Sequence, residues 1–148
     1  MNMQNIPLIV TYIIDDDQLH QFGMRRMLKY INTPIQLLQF YNGLQALEYI
    51  KEHLPLLINL PDVILLDLNM PVMNGWKFLD EFIQLMPSQN RRTVIYMVTS
   101  SISDADIEKA ASYNEITEYI IKPAGIEQIK ELLESIHNKL NLLFNHCK

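Results

Sequence analysis

Five apolar runs alternate along the chain with stretches whose apolar residues recur at helical spacing. Leu8 to Ile14 is rich in β-branched and aromatic residues, predicts a first strand, and stops at Asp15-Asp16-Asp17. From Gln18 to Ile31 the residues Leu19, Phe22, Met27 and Ile31 fall near helical spacing, with Asp17 placed as N-cap. Asn32-Thr33-Pro34 breaks that helix, and Ile35 to Phe40 predicts a second strand. Asn42-Gly43 turns into a helix with Leu44, Leu47, Ile50 and Leu54 on one face. Between Pro55 and Pro61 the pattern assigns no element.

Val63 to Leu66 is an unbroken apolar run ending on Asp67. A run of this length without polar alternation fits a strand covered on both faces. Pro71 blocks a regular continuation, and Asn74-Gly75 supplies a turn. Trp76 to Met86 predicts a third helix closed by Pro87, and Ser88–Arg92 a loop. Thr93 to Val98 predicts a fourth strand, ending on Thr99-Ser100-Ser101. Residues 104–113 carry few large apolar groups and predict a thinly packed, mobile helix. Ile116 to Ile121 predicts a fifth strand before Lys122-Pro123. A last helix over Glu127–Phe144 presents Ile129, Leu132, Leu133, Ile136, Leu140 and Leu143 as its buried stripe. Residues 1–6 read as a short disordered lead. Five alternations of strand and helix predict an α/β fold, a doubly wound parallel sheet with helices on both faces and right-handed crossovers.

The chain of 148 residues matches one domain, and 49% apolar residues suffice for one core. A formal charge of −5 disfavours nucleic acid as a partner. The pairs Arg25-Arg26 and Arg91-Arg92 are isolated and read as solvated surface. A single cysteine, Cys147, excludes a disulfide framework within the chain. No signal-peptide pattern and no membrane-length apolar run is present, so a soluble, cytoplasmic protein is expected. His20, His53, His137 and His146 lack metal-ligand spacing and read as surface or helix residues. The eight methionines read as core and turn filling.

Four predicted strands end in polar residues: Asp15-Asp16, Asp67, Thr99 and Lys122. In a parallel sheet these ends share one edge, where ligands of open α/β folds bind. Each residue has an ordinary reading as well. The acid pair could cap the next helix, although Asp17 is better placed for that. Thr99 could cap its helix, although Ser103 and Asp104 sit closer. Lys122 could be a solvated strand end, and Tyr119 a half-buried strand residue. Together, however, they gather three carboxylates, a hydroxyl and an ammonium. Crowded carboxylates repel one another, and a hard cation such as Mg²⁺ relieves this. A carboxylate beside Mg²⁺ and a lysine can act as a nucleophile toward phosphorus.

The combination resembles a response-regulator receiver domain of the CheY-like family. It comprises the acid pair after strand one, Asp-x-Asn-Met-Pro-x-Met-x-Gly after strand three, Thr after strand four and Lys-Pro after strand five. The resemblance covers about residues 7–140 and implies a flavodoxin-like sheet of order 2-1-3-4-5 with five helices. It implies that Asp67 is the phosphoacceptor and that Asp16 and Asp67 ligate Mg²⁺. Asp15 would act through water, and Asn69 through its backbone carbonyl. It implies that Lys122 bridges to Asp67 and the phosphoryl group, that Thr99 is drawn toward that group, and that Tyr119 follows. A histidine kinase or histidine phosphotransfer protein would be the donor. A downstream protein target would read the face formed by helix 104–113, strand five and the final helix, near Ile102, Ile107, Tyr119 and Glu127. Such a protein is a switch rather than an enzyme, catalysing only its own phosphoryl uptake and hydrolysis.

Departures from the family pattern concern lifetime and partner surface: Ala124 where Phe is common, Ser100 where Ala is common, Asn74 where Asp is frequent, and Gln18 and Asn69 at variable positions. Residues 1–148 read as one receiver without an output domain, either stand-alone or cut from a hybrid histidine kinase. The rival class is a Mg²⁺-dependent phosphohydrolase acting on an external substrate. That chemistry generally needs an acid two residues after the nucleophile, where Asn69 stands.

Overall fold

The central apolar runs become strands because both of their faces are covered. The computed structural model describes residues 8–86 and 93–146. In it β1 (Ile9–Ile14), β2 (Ile35–Phe40), β3 (Val63–Leu66), β4 (Val94–Thr99) and β5 (Ile116–Ile121) form one parallel sheet. The strand order is β2-β1-β3-β4-β5. The connecting helices are α1 (Gln18–Lys29), α2 (Gly43–His53), α3 (Gly75–Leu85), α4 (Asp104–Ala111) and α5 (Ile126–His146).

Alternate residues of the central strands enter two separate cores. Tyr12, Ile14, Ile64, Leu66, Ile95 and Met97 meet Leu47 and Ile50 of α2 and Phe78, Leu79 and Phe82 of α3. Ile9, Ile13, Val63, Leu65, Tyr96 and Val98 meet Met24 and Leu28 of α1 and Ile129, Leu133 and Ile136 of α5. β3 is buried along its whole length, which accounts for its unbroken apolar composition.

Polar side chains set the helix starts. Asp17 accepts from Leu19 and His20 N–H, Asn42 from Gln45, Asn74 from Lys77 and Ser103 from Asp106. The stretch left unassigned by pattern holds a 3₁₀ turn over Leu54–Leu56, followed by Leu57 at φ 54°. Asn59 fixes its exit: its carbonyl accepts from Tyr12, its side-chain oxygen from Gln36, and its amide donates to Tyr49.

One sequence reading needs correction. α1 does not bury the stripe through Leu19 and Phe22, which are 80% and 47% exposed. Its buried residues are Gln21, Met24 and Leu28, with Ile31 beyond the helix end. Gln21 can occupy the stripe because its amide finds carbonyl partners there, so the true register contains a polar residue. The expected α2 stripe does face inward, with Leu47 and Ile50 buried and Leu44 and Leu54 partly so. Ile129, Leu133 and Ile136 of α5 are buried, with Leu132 and Leu140 packed beside them. The side chain of Leu143, the amino-terminal lead, the loop at 88–92 with Arg91-Arg92, and Cys147 lie outside the described residues. Among the described residues, no helix is long and apolar enough to cross a membrane.

Candidate functional site

Strand register brings the polar strand ends together. Ile14 pairs with Leu66, so Asp15 and Asp67 leave neighbouring strands side by side. Thr99 pairs with Ile121, which places Lys122 just beyond the same edge. Asp67 N–H donates to the Ile14 carbonyl at 3.0 Å, and Lys122 N–H to the Thr99 carbonyl at 2.9 Å.

The loop after β3 is held from several sides. Leu68 N–H donates to Asp67 Oδ1 at 2.8 Å. Gly75 N–H donates to the Leu68 carbonyl at 2.8 Å, and Gly43 N–H to the Met73 carbonyl at 3.2 Å. A Cβ at Gly75 would sit 2.4 Å from the Asp67 carbonyl oxygen, so only glycine lets α3 start this close to the acid. Val72, between them, adopts φ 69°, a left-handed backbone that is rare for a β-branched residue. Asn74 serves α3 as N-cap, which an Asn does as well as the Asp of the family pattern.

Asp15, Asp16 and Asp67 can each turn a carboxylate oxygen to within 4.8 Å of the others. Asp15 and Asp67 are buried, and Asp16 is exposed. Lys122 Nζ lies 2.7 Å from Asp15 Oδ2 and 3.4 Å from Asp67 Oδ2. The ammonium is therefore shared, and it sits nearer Asp15 than the bridge to Asp67 implied by the resemblance. Thr99 is fully buried, and its Oγ1 accepts from Ser101 N–H at 3.3 Å. Tyr119 is half-buried; its hydroxyl donates to the Ser101 carbonyl at 2.9 Å, tying β5 to the loop after Thr99. Asn69 is exposed on the loop beyond Asp67, as is Gln18 at the start of α1. Ser100 is exposed, and Ala124 is buried in the core under α1 and α5. Ile102, Ile107 and Glu127 are exposed on the α4–β5–α5 side.

The two buried acids are held in opposite ways. Burial, then the negative charge of Asp15, pushes the Asp67 carboxyl above its usual range; Lys122, the Thr99 hydroxyl and the Leu68 N–H oppose this without cancelling it. Burial also raises Asp15, but contacts from His20, Lys122 and the Asp17 N–H outweigh it and bring Asp15 below its usual range. Lys122 is pulled down by burial and raised further by Asp15 and Asp67. The cluster thus carries more negative charge than its one ammonium offsets. An all-oxygen carboxylate set of this kind fits a hard divalent cation such as Mg²⁺.

Two neighbours of Asp15 escaped the sequence pattern. His20 Nδ1 lies 2.7 Å from Asp15 Oδ2, close to it but outside aligned hydrogen-bond geometry. Gln21 is buried beneath the same acid. The one available signal was their position in the first turn after the Asp17 cap, on a helix that starts at this edge.

A model of the response regulator receiver domain matches residues 11–134. The chain belongs to the response-regulator receiver family. It is 29% identical over 131 residues to the probable methanogenesis regulatory protein FilR2 of Methanothrix harundinacea, covering 88% of this chain and 81% of that protein. It is 30% identical over 125 residues to the sensor histidine kinase CheAY of Helicobacter pylori, covering 84% of this chain and 14% of the kinase. A two-component response regulator from Cytophaga hutchinsonii has the same fold, with a TM-score of 0.75 at 24% identity over 86% of this receiver and 96% of that chain. Receivers of this family are mainly signalling modules of two-component systems, and Mg²⁺ is typical of them.

Proposed function

We propose that this receiver is a phosphorylation-dependent switch in which Asp67 takes a phosphoryl group from a phosphohistidine on a partner kinase or phosphotransfer protein. The convergence of Asp15, Asp16 and Asp67, with Lys122 Nζ 3.4 Å from Asp67, carries this reading. An Asp67 oxygen attacks phosphorus, the phosphorus–nitrogen bond breaks, and the donor imidazole leaves with the bond's electron pair. Asp15, Asp16, Asp67 and the Asn69 carbonyl would hold Mg²⁺, which when bound supplies positive charge for the phosphoryl oxygens. Lys122 moves its charge from the acids toward the phosphoryl group. Thr99 donates its hydroxyl to the same group and so draws on the loop that carries Ser101 and the Tyr119 contact. The α4–β5–α5 face, with Ile102, Ile107, Tyr119 and Glu127, then presents a changed surface to a downstream protein.

We place the protein in the cytoplasm, as one receiver domain over residues 1–148. Similarity to part of a histidine kinase supports a second setting, a receiver module within a hybrid kinase, and the native reading frame decides between the two. The test is incubation with acetyl phosphate and Mg²⁺, followed by intact mass. One phosphoryl group should add to the wild type and none to Asp67→Ala. Uptake by Asp67→Ala would overturn the assignment.

A further inference from the structure

We propose that Gln21 is a positioning residue: buried under the edge of the sheet, it fixes the backbone at Asp15 and thereby the geometry of the acid cluster toward Mg²⁺. The inference rests on the metal role proposed above and concerns a side chain that touches neither metal nor phosphoryl group. Gln21 is 1% exposed and occupies a core position of α1 where an aliphatic residue would be ordinary. A buried amide is costly unless bonded, and this one is bonded on both ends. Nε2 donates toward the carbonyls of Phe40 at 2.8 Å, Ile13 at 3.0 Å and Asp15 at 3.1 Å. An amide has two hydrogens, so three acceptors share them. Oε1 accepts from Gln39 Nε2 at 2.8 Å, and Gln39 also reaches the Gln21 carbonyl at 3.0 Å.

These contacts gather at one place. Phe40 O, which takes the Gln21 amide, also accepts the Asp15 N–H at 2.9 Å. The Asp15 carbonyl is thus anchored through Gln21, while its carboxylate is held by Asp17 N–H at 2.9 Å and by His20 and Lys122. Asp15 therefore leaves β1 with its peptide units clamped between α1 and the end of β2. Gln39, on β2, sets the direction of the Gln21 amide. A leucine at 21 would fill the space and supply none of this. Mg²⁺ demands near-ideal octahedral geometry at short distance, whereas Ca²⁺ accepts varied coordination. A loosened Asp15 should therefore cost Mg²⁺ more than Ca²⁺.

The test titrates wild type, Gln21→Leu, Gln39→Leu and Met24→Ala with Mg²⁺ and with Ca²⁺ by calorimetry, beside urea unfolding in EDTA. Gln21→Leu should weaken Mg²⁺ binding about tenfold, with a smaller loss for Ca²⁺. Gln39→Leu should move the same way by a smaller factor, and it serves if Gln21→Leu does not fold. Met24→Ala, a core truncation on the same helix face, should lose stability but keep its Mg²⁺ to Ca²⁺ ratio. Unchanged Mg²⁺ binding in Gln21→Leu, or equal losses for both ions, would overturn the proposal. So would a Met24→Ala ratio that shifts as far. Wild type that binds neither ion would instead remove the metal reading on which the proposal rests.

Discussion

Asp67 and Asp15 are both buried carboxyls at one sheet edge, yet their charges affect stability with opposite sign. The folded-state pKa of Asp67 is raised by burial and by Asp15, so in the folded protein its ionisation is disfavoured. That cost is present above the raised value and disappears as pH falls below the unfolded-state value of about 3.9. Asp67→Asn should therefore stabilise the metal-free protein by about 1–2 kcal/mol at neutral pH. The gain should shrink on acidification, as read from urea midpoints in EDTA. A destabilised Asp67→Asn at neutral pH would contradict this sign. The pKa of Asp15 is lowered, so its contribution is present above the unfolded-state value and is lost as pH falls through the lowered one. Asp15→Asn should lose about 1–2 kcal/mol under the same conditions, because Lys122 loses its nearest carboxylate. The acids, Thr99 and Lys122 were legible because each ends a strand whose limits the apolar pattern marks. His20 and Gln21 were not. Their roles depend on the rotation of α1, and Leu19 and Phe22 imitate a core stripe while lying in solvent.

At the scale of elements, α4 is the helix whose attachment is thinnest. Ala110 is its one buried residue, as the scarcity of apolar groups at 104–113 suggested. Side chains beyond that scarcity hold it to α3. Trp76 and Tyr113 stack at 5.7 Å between ring centroids, and Lys109 Nζ lies 4.7 Å over the Trp76 ring. The Tyr113 hydroxyl donates to Asp80 Oδ1 at 2.6 Å, and that carboxylate pushes the phenol up to about 12. Stacking and cation–π contacts at exposed sites contribute about 0.5–1.5 kcal/mol each. Trp76→Ala should therefore speed amide hydrogen exchange in α4 about tenfold while exchange in β1 and β3 keeps its rate. Equal acceleration throughout the sheet would show that Trp76 supports the core rather than the helix. No spacing rule links Trp76 to Tyr113, because their pairing depends on how α3 and α4 lie over the sheet. The α2–β3 connection was opaque for a related reason: Asn59 bonds to Tyr12, Gln36 and Tyr49 from three other elements.

Across the whole molecule, one sheet serves two cores and one site. β1, β3 and β4 each send alternate residues into the core under α2 and α3 and into the core under α1 and α5. This arrangement was legible, because runs such as Val63–Leu66 have no polar face. Neither core can be lost while the other keeps its strands, so unfolding should be a single transition. Trp76 fluorescence reports beside the first core, and far-UV circular dichroism reports the whole backbone. Their urea curves should coincide. Because Asp15 and Asp67 leave adjacent central strands, a cation held between them links to that same transition. Mg²⁺ at about 100 times its Kd should then move both curves together by about 2.7 kcal/mol, and Asp67→Ala should abolish most of the shift. A shift in fluorescence alone would mean that the ion orders only the edge loops and leaves the sheet's stability untouched.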